Sequence, residues 1–157
     1  MFYSRVAPNL YFGKLPKTSR HFLKLEELGV TTCLNVTEEQ YKFKNTIYRP
    51  IPDQSIPPPN LDFKDLVCEI SKLLSEGHVV YVNCRNGRGR SALVTSCIIG
   101  KYLELSAEDA MLVVTKAHQQ GHGTERKWRH RMLPVHEVQK DYVRKFLEPA
   151  PWWRRFC

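Results

Sequence analysis

The feature that most limits how this chain can fold is the segment VVYVNCRNGRGRS at residues 79–91. It opens with an apolar, largely β-branched run that predicts a buried strand, and a second apolar run that predicts a buried helix follows it. Between the two runs lie one cysteine, three arginines and two glycines. Because α/β folds bind ligands where a parallel strand ends and a helix begins, this loop is where the sequence predicts a binding site.

Short apolar runs and amphipathic runs alternate along the rest of the chain, which is typical of alternating strands and helices. The segment DQSIPPP at 53–59 is predicted as a loop, because proline lacks a backbone donor and restricts the residue before it. This order predicts an α/β fold with a central, mostly parallel sheet flanked by helices. The predicted strands are 10–13, 31–36, 46–51 and 78–83, and the predicted helices are 19–29, 61–77 (capped by Asn60), 91–105, 106–120 (capped by Ser106) and 134–147.

Composition sets the outer limits of the interpretation. With 157 residues, 42% of them hydrophobic, the chain fits one domain, which we place at 1–148, followed by a short tail at 149–157. Its formal net charge of +8 favours acidic partners such as phosphorylated proteins, anionic lipids or nucleic acids. No apolar run reaches the ~20 residues of a membrane helix, and the five cysteines include no CxxC pair. We therefore expect an intracellular, cytoplasmic protein in a reducing compartment.

The loop after the most apolar strand has the composition of a phosphate-binding site. Gly87 and Gly89 let the backbone adopt conformations that other residues avoid, so that successive N–H groups can converge on an anion. The following helix adds its positive N-terminal end, and the planar guanidinium of Arg90 can grip two phosphate oxygens. The predicted phosphate-binding residues are Arg85, Asn86, Gly87, Arg88, Gly89 and Arg90.

Cys84 stands at the base of this loop, where the N–H groups, the helix end and the arginines favour its thiolate form. A thiolate held there can attack phosphorus and form a thiophosphate that water later cleaves. The reaction needs no metal or other cofactor, because the thiolate and Arg90 supply the electrostatic role that metal ions play elsewhere. Ser91 can donate its hydroxyl to the sulfur when the thiolate leaves, besides capping the helix.

The leaving group needs a proton from a general acid on a different segment. Asp53 is the candidate, because it follows a predicted core strand within the proline-stiffened loop; the alternative for this residue is an Asx turn. Three other acidic residues compete for the role, but in the next predicted helix their simpler role is to stabilise or solvate it. These residues are Asp62, Asp65 and Glu69.

Cys84, the residues after it, Arg90 and Ser91 match the CxxGxGRS signature of the cysteine-dependent protein tyrosine phosphatase superfamily. The small size resembles the atypical dual-specificity branch, and within it the group of the mitochondrial phosphatidylglycerophosphate phosphatase. The likeness extends to RVAPNLYFGKLP, IPDQSIPP and VHEVQKDYVRKFL, which resemble the entry segment, acid loop and closing helix of that branch. The resemblance implies a compact dual-specificity phosphatase-like catalytic domain at 1–148.

The resemblance also implies hydrolysis of phosphotyrosine, phosphoserine and phosphothreonine in proteins. Arg85 and Arg88 resemble basic residues of the lipid-directed members, which makes phosphoinositides or phosphatidylglycerophosphate alternative substrates. RNA 5′ ends are a further alternative, although no nucleic-acid motif supports them. Asn83 departs from the family, which has histidine before the nucleophile, and asparagine cannot bear charge. Weak activity, or a non-catalytic phosphate-binding module, is therefore the remaining alternative.

The segment HQQGHGTERKWRHRMLPVH at 118–136 is basic and longer than a helix connection needs, which predicts a recognition loop over the cleft. His118 and His122 have the i, i+4 spacing of metal ligands. Without a third ligand, an exposed basic loop is the simpler interpretation.

The tail combines aromatic residues with arginines, a composition that suits peripheral contact with a membrane. Packing of the tryptophans against the domain is the alternative. The residues concerned are Trp152, Trp153, Arg154 and Arg155.

Overall fold

The structure is a computed structural model, and it describes residues 1–148 and residue 157. The strands of this part of the chain are β1 (Tyr3–Ala7), β2 (Leu10–Gly13), β3 (Thr32–Asn35), β4 (Asn45–Tyr48) and β5 (Val80–Asn83). Its helices are α1 (Ser19–Glu27), α2 (Phe63–Ser75), α3 (Arg90–Tyr102), α4 (Ala107–Gln120) and α5 (Glu137–Phe146), with a short 3-10 helix at Arg126–Trp128.

The strands form one sheet in the order β1-β2-β5-β3-β4, in which β1 is antiparallel to β2 and the other neighbours are parallel. The prediction of a mostly parallel sheet flanked by helices is therefore confirmed. All four residues of β5 are buried, as its apolar sequence indicates. Its last residue, Asn83, pairs in register with Gly13 of β2 and Asn35 of β3. Three strands therefore end at one edge of the sheet.

The two faces of the sheet carry different helices, and alternate residues of β5 point to each. Val80 and Val82 belong to a large core to which α2, α3, α4 and α5 contribute. Tyr81 belongs to a smaller core on the other face, together with Leu25 of α1. The first eleven residues of α3 are all buried, which explains why this helix is apolar on almost every side.

Some element boundaries differ from the predictions. β1 is absent from the prediction because Arg5 and Ser4 interrupt its apolar pattern, and its pairing with β2 holds it in the sheet. β4 ends at Tyr48 rather than at residue 51, although the chain continues beside β3, since Arg49 and Ile51 still donate to the carbonyl oxygens of Asn35 and Val36.

The start of α2 also differs from the prediction, whereas that of α4 agrees with it. Asp62, not Asn60, caps α2, since its carboxylate accepts a hydrogen bond from the Asp65 N–H at 3.2 Å. Ser106 caps α4 as predicted, accepting from the Asp109 N–H at 3.1 Å.

The cysteines are not all reduced, contrary to the expectation from the sequence. Cys68 of α2 forms a disulfide with Cys157. Cys33, Cys84 and Cys97 are free and buried. Among the described residues, no helix is long and apolar enough to cross a membrane. The predicted membrane contact of residues 152–155 lies outside the described residues.

Candidate active site

The end of β5 and the start of α3 place a thiol at the base of a tight loop. Cys84 follows the last residue of β5 and is only 3% exposed. Its sulfur accepts a hydrogen bond from the Gly87 N–H at 3.2 Å and lies 3.2 Å from the Ser91 hydroxyl. The predicted nucleophile therefore lies beneath the loop of residues 85–89, beside the N-terminus of α3.

Glycine is required at position 87 for two reasons. Its φ of +75° lies in the left-handed region, and a Cβ there would come within 2.6 Å of the Gly13 carbonyl carbon and of Nε2 of His122. Gly89 is different, because its φ is −109°. A Cβ at position 89 would approach the Gln139 amide to 3.2 Å, so close packing rather than backbone freedom favours glycine there.

Arg90 is held in place before any ligand binds. Its side chain is 2% exposed, and Nη1 donates to the carbonyl oxygen of Ile51 at 2.9 Å. The same nitrogen lies 3.3 Å from the carboxylate of Glu38, and Nη2 lies 3.4 Å from the carboxylate of Asp53. These contacts fix the guanidinium at the mouth of the loop, where a phosphate could replace the carboxylates as its partner.

The structure brings Asp53 to the site but leaves its competitors outside. Asp53 is 65% exposed and lines one cavity, of about 180 Å³, together with Cys84 and Arg90. Asp62 caps α2, while Asp65 and Glu69 line a different cavity, which contains Cys68. The exposed carboxyl group of Asp53 can therefore face a bound ester, and the other three cannot.

The predicted recognition loop does reach the cleft. Trp128 and His136 line the same cavity as the phosphate loop. The N–H of Val135 donates to the carbonyl oxygen of Arg88 at 3.1 Å, which is why α5 begins at Glu137 and not at residue 134. The segment before α5 is therefore bonded directly to the phosphate loop.

The two additional arginines of the loop behave differently from each other. Arg85 is half-exposed at the rim and pairs with Glu39 at 2.9 Å. The guanidinium of Arg88 lies 4.1 Å from the centre of the Trp128 ring, a cation–π contact, and burial lowers its pKa. Arg88 therefore forms part of the wall, whereas Arg85 can reach a ligand outside the loop.

His118 and His122 are buried, so the interpretation as an exposed basic loop is wrong for both. The Ser4 hydroxyl accepts from the His122 N–H at 3.0 Å and lies within hydrogen-bond distance of Nδ1. The hydroxyl proton therefore goes to Nδ1, and Nε2–H donates to the Gly87 carbonyl oxygen at 2.9 Å. Since a trans peptide directs its C=O and N–H oppositely, the Arg88 N–H points away from His122. His122 thus orients the phosphate loop.

The environment of these histidines disfavours their charged forms. Burial is the largest cause, and it lowers the pKa of His118 to about 4 and that of His122 to about 3, with Arg88 and Lys14 adding to the effect. Among the described residues no group of three potential ligands surrounds them that could hold a metal ion. His122 is therefore best described as a neutral hydrogen-bonding group and His118 as a neutral packing group, whose ring nitrogens have no hydrogen-bond partner among the described residues.

These pKa values predict a loss of stability in mild acid. Between pH 6.5 and about 4, both histidines are protonated in the unfolded chain but remain neutral in the folded one. The free energy of unfolding that they contribute is therefore fully present above pH 6.5 and falls as the pH is lowered. We expect the free energy of unfolding to decrease by about 1.4 kcal/mol per histidine between pH 7.5 and 5.5. Urea unfolding at both pH values measures it. His118→Phe should remove about half of the decrease. An equal decrease in this variant and in the wild type would contradict the assignment.

Asn83, which replaces the histidine of the family, is fully buried at the end of β5. Its side-chain oxygen accepts from the Tyr41 hydroxyl, and its amide donates to the side-chain oxygen of Asn35 at 3.2 Å. The Asn35 amide in turn donates to the carbonyl oxygen of Glu39 at 2.7 Å. This network connects the base of the phosphate loop to the acidic pair that contacts Arg85 and Arg90.

Four residues of this site are not predicted from the sequence: Glu38, Tyr41, His122 and Gln139. One signal was available for Glu38, because it follows β3 closely and β3 ends beside β5. The other three reach the site from segments that are distant in sequence, and no local pattern predicts such contacts.

A buried thiol under a backbone N–H, beside a fixed arginine and between a parallel strand and a helix, defines a site of the cysteine-dependent phosphatase class. A family model described as "Dual specificity phosphatase, catalytic domain" matches residues 10–140. The chain belongs to the dual specificity phosphatase family, and the resemblance predicted from the sequence is confirmed.

Two relatives and one solved structure illustrate the likeness. A candidate tyrosine phosphatase of Invertebrate iridescent virus 3, 067L, is 29% identical over 157 residues, covering 90% of this chain and 63% of its own. Laforin of Mus musculus is 32% identical over 119 residues, 58% of this chain and 36% of its own. This chain thus spans less than two thirds of either relative. The structure of PTPMT1 in complex with PI(5)P is similar in fold, with a TM-score of 0.75, 18% identity, and coverage of 94% of this chain and 95% of that one.

Proposed function

We propose that this chain is a cysteine-dependent phosphatase that hydrolyses phosphotyrosine, phosphoserine and phosphothreonine esters in proteins. The observation that carries the proposal is the position of the Cys84 sulfur, 3.2 Å from the Gly87 nitrogen, at the base of a cavity also lined by Arg90 and Asp53. A phosphate ester bound there meets a nucleophile, a guanidinium and a carboxyl group at once. Donors aimed at a transferring phosphoryl group stabilise its charge most when they are already in position.

In the first step, the Cys84 thiolate attacks phosphorus. A sulfur–phosphorus bond forms, the bond between phosphorus and the ester oxygen breaks, and the leaving oxygen takes the proton of the Asp53 carboxyl group. Arg90 contributes without reordering, since Ile51 already holds Nη1 at 2.9 Å.

In the second step, water attacks the phosphocysteine and the sulfur–phosphorus bond breaks. The Asp53 carboxylate accepts a proton from that water, and inorganic phosphate leaves. The Ser91 hydroxyl, 3.2 Å from the sulfur, donates a hydrogen bond as negative charge returns to the thiolate. The cycle restores both Cys84 and Asp53 to their starting forms.

A polyanionic phospholipid is the second candidate substrate. Arg85 supplies a half-exposed cationic group at the rim beyond the single phosphate that Arg90 can hold. PTPMT1, which is similar in fold, has been solved with PI(5)P. The favoured class remains the phosphoprotein, and a substrate panel separates the two.

Trapping the phosphocysteine tests the proposal. Rapid acid quenching with a radiolabelled aryl phosphate should leave about one label per chain during the first turnover, on the peptide that contains Cys84. A panel of phosphotyrosine, phosphoserine and phosphothreonine peptides, with phosphoinositide vesicles alongside, then ranks substrates by kcat/KM. A chain that turns over no member of the panel and carries no label is instead a phosphate-binding module. Preference for the vesicles would favour the lipid alternative.

A further inference from the structure

A second cavity adjoins the catalytic one on the side of the β2–α1 connection. It has a volume of about 480 Å³ and shares Arg85 and Asn86 with the catalytic cavity. Its other basic lining residues are Lys14, Lys17 and His21. We call the surface formed by Lys14, Lys17, His21 and Arg85 the basic groove. Because the two cavities share residues of the phosphate loop, one ligand can occupy both.

The backbone of Lys14 and Leu15 is anchored beside the phosphate loop by three hydrogen bonds to other segments of the chain. The Lys14 N–H donates to the carbonyl oxygen of Phe2 at 2.8 Å, and its carbonyl oxygen accepts from the Tyr81 hydroxyl. The next N–H, that of Leu15, donates to the carbonyl oxygen of Arg85 at 3.3 Å. The backbone of the basic groove at these two residues therefore has a fixed position relative to the phosphate loop.

The charges of the two lysines of the basic groove are not balanced by acidic neighbours within the described residues. Neither Lys14 nor Lys17 forms an ion pair within the part of the chain that the structure describes. The pKa of His21 is lowered, first by burial and then by the charges of Lys14 and Lys17. Arg85 alone has a carboxylate partner, Glu39, and both side chains of that pair are half-exposed, so an incoming anion can exchange with it at small cost.

His21 adds a directed donor to this charge. Its Nδ1 accepts a hydrogen bond from the Lys17 N–H at 3.0 Å, so the proton of the neutral ring is on Nε2. The ring packs on Phe2 with 4.3 Å between centroids, and Phe2 and Leu15 also line the groove. A peptide offers both the anionic and the apolar side chains that such a mixed lining can contact, whereas a polyhydroxylated headgroup offers only polar groups.

We infer that the basic groove is a subsite for a second anionic side chain, a carboxylate or a phosphate, of the same peptide whose phosphorylated residue occupies the catalytic cavity. The inference deepens the proposed function and rests on it. An extended peptide advances about 3.3 Å per residue, so an acidic residue two or three positions from the reacting one lies ~7–10 Å away along the chain. Specificity for acidic phosphopeptides then depends on Lys14 and Lys17.

The test compares peptides that differ in one feature. A phosphotyrosine peptide with alanines around the reacting residue is paired with peptides that carry glutamate, or phosphoserine, two and three positions to either side. We expect kcat/KM for the acidic peptide on the better side to exceed that for the neutral peptide by about two- to fivefold, within the range that exposed charge pairs support. In Lys14→Gln/Lys17→Gln the ratio should fall close to one.

The matched control is Lys72→Gln/Lys101→Gln, which removes the same charge from residues that line a separate cavity beside Cys68. It should keep the wild-type ratio. An equal fall in both variants would overturn the subsite, because general attraction by the net charge would then explain the preference. The subsite would also be overturned if Lys14→Gln/Lys17→Gln left the ratio unchanged but lowered hydrolysis of phosphoinositide vesicles. Cleavage of the neutral peptide by wild type shows that the proposed function holds in either case.

Discussion

Replacing Cys84 with serine should lower kcat/KM for every phosphomonoester by about 10⁴-fold or more, the order of loss seen when an enzyme loses its nucleophile. The serine hydroxyl is a weak nucleophile without an adjacent base, and among the described residues the hydrogen-bond partners of the Cys84 sulfur are the Gly87 N–H and the Ser91 hydroxyl, not a histidine. The measurement is hydrolysis of p-nitrophenyl phosphate together with binding of phosphate by calorimetry. Binding should persist, since Arg90 and the Gly87 N–H remain.

The control for this substitution is Cys97→Ala, which removes another buried free thiol from the same part of the core. Because Cys97 lies in α3 seven residues beyond Arg90, about 10 Å along the helix, that variant should retain wild-type kcat/KM. Activity in Cys84→Ser within tenfold of wild type would refute covalent catalysis by this residue. Loss of activity in both variants would indicate that the substitutions disturb folding rather than the chemical step.

The strands and helices that cover the large core follow from the sequence because each has one dominant periodicity. β5 and α3 are both rich in apolar residues, and all of β5 and the first eleven residues of α3 are buried. β1 escapes prediction because its sequence, YSRVA, carries no such pattern. Only the neighbouring β2 makes it a strand, and pairing between strands is not visible in one of them alone.

The residues of the site also fall into two groups, those that a local sequence pattern predicts and those that it does not. The phosphate loop is local, so the positions of Cys84, Arg90 and Ser91 follow from one continuous motif. Asp53 could be proposed because a strand and a proline-stiffened loop point to it. Glu38 and His122 could not be assigned roles, since their contacts with Arg90 and Gly87 arise only when distant segments meet. The sequence therefore predicts the reacting groups better than the residues that hold them.

Asn83 departs from the family pattern, and neighbouring residues bind its side chain in a different network. A neutral side chain cannot stabilise the Cys84 thiolate by charge, as the family histidine could. In this chain Asn83 instead connects Tyr41 and Asn35 in a buried network, which positions the strand end from which the phosphate loop starts. Electrostatic stabilisation of the thiolate is left to the Gly87 N–H, the start of α3 and Arg90, which are all present.

Asp53→Asn should reveal the general acid through its dependence on the leaving group. Asparagine keeps the shape of the side chain but has no proton to donate, so the effect should be greatest where the leaving oxygen most needs one. We expect kcat/KM for phenyl phosphate to fall by about 10²–10³-fold, within the range of general acid catalysis. For p-nitrophenyl phosphate, whose leaving group is stable as an anion, the fall should be much smaller.

Glu38→Gln is the matched control, because Glu38 also contacts Arg90 but through a different nitrogen and from a different loop. Removing its charge changes how Arg90 is held, and a change in phosphate binding affects both substrates equally. The ratio of the two substrates should therefore shift in Asp53→Asn and stay constant in Glu38→Gln. If the ratio shifted only in Glu38→Gln, the proton donor would be Glu38, and Asp53 would serve to position Arg90. If it shifted in neither, protonation of the leaving group would not depend on the carboxylates that face Arg90.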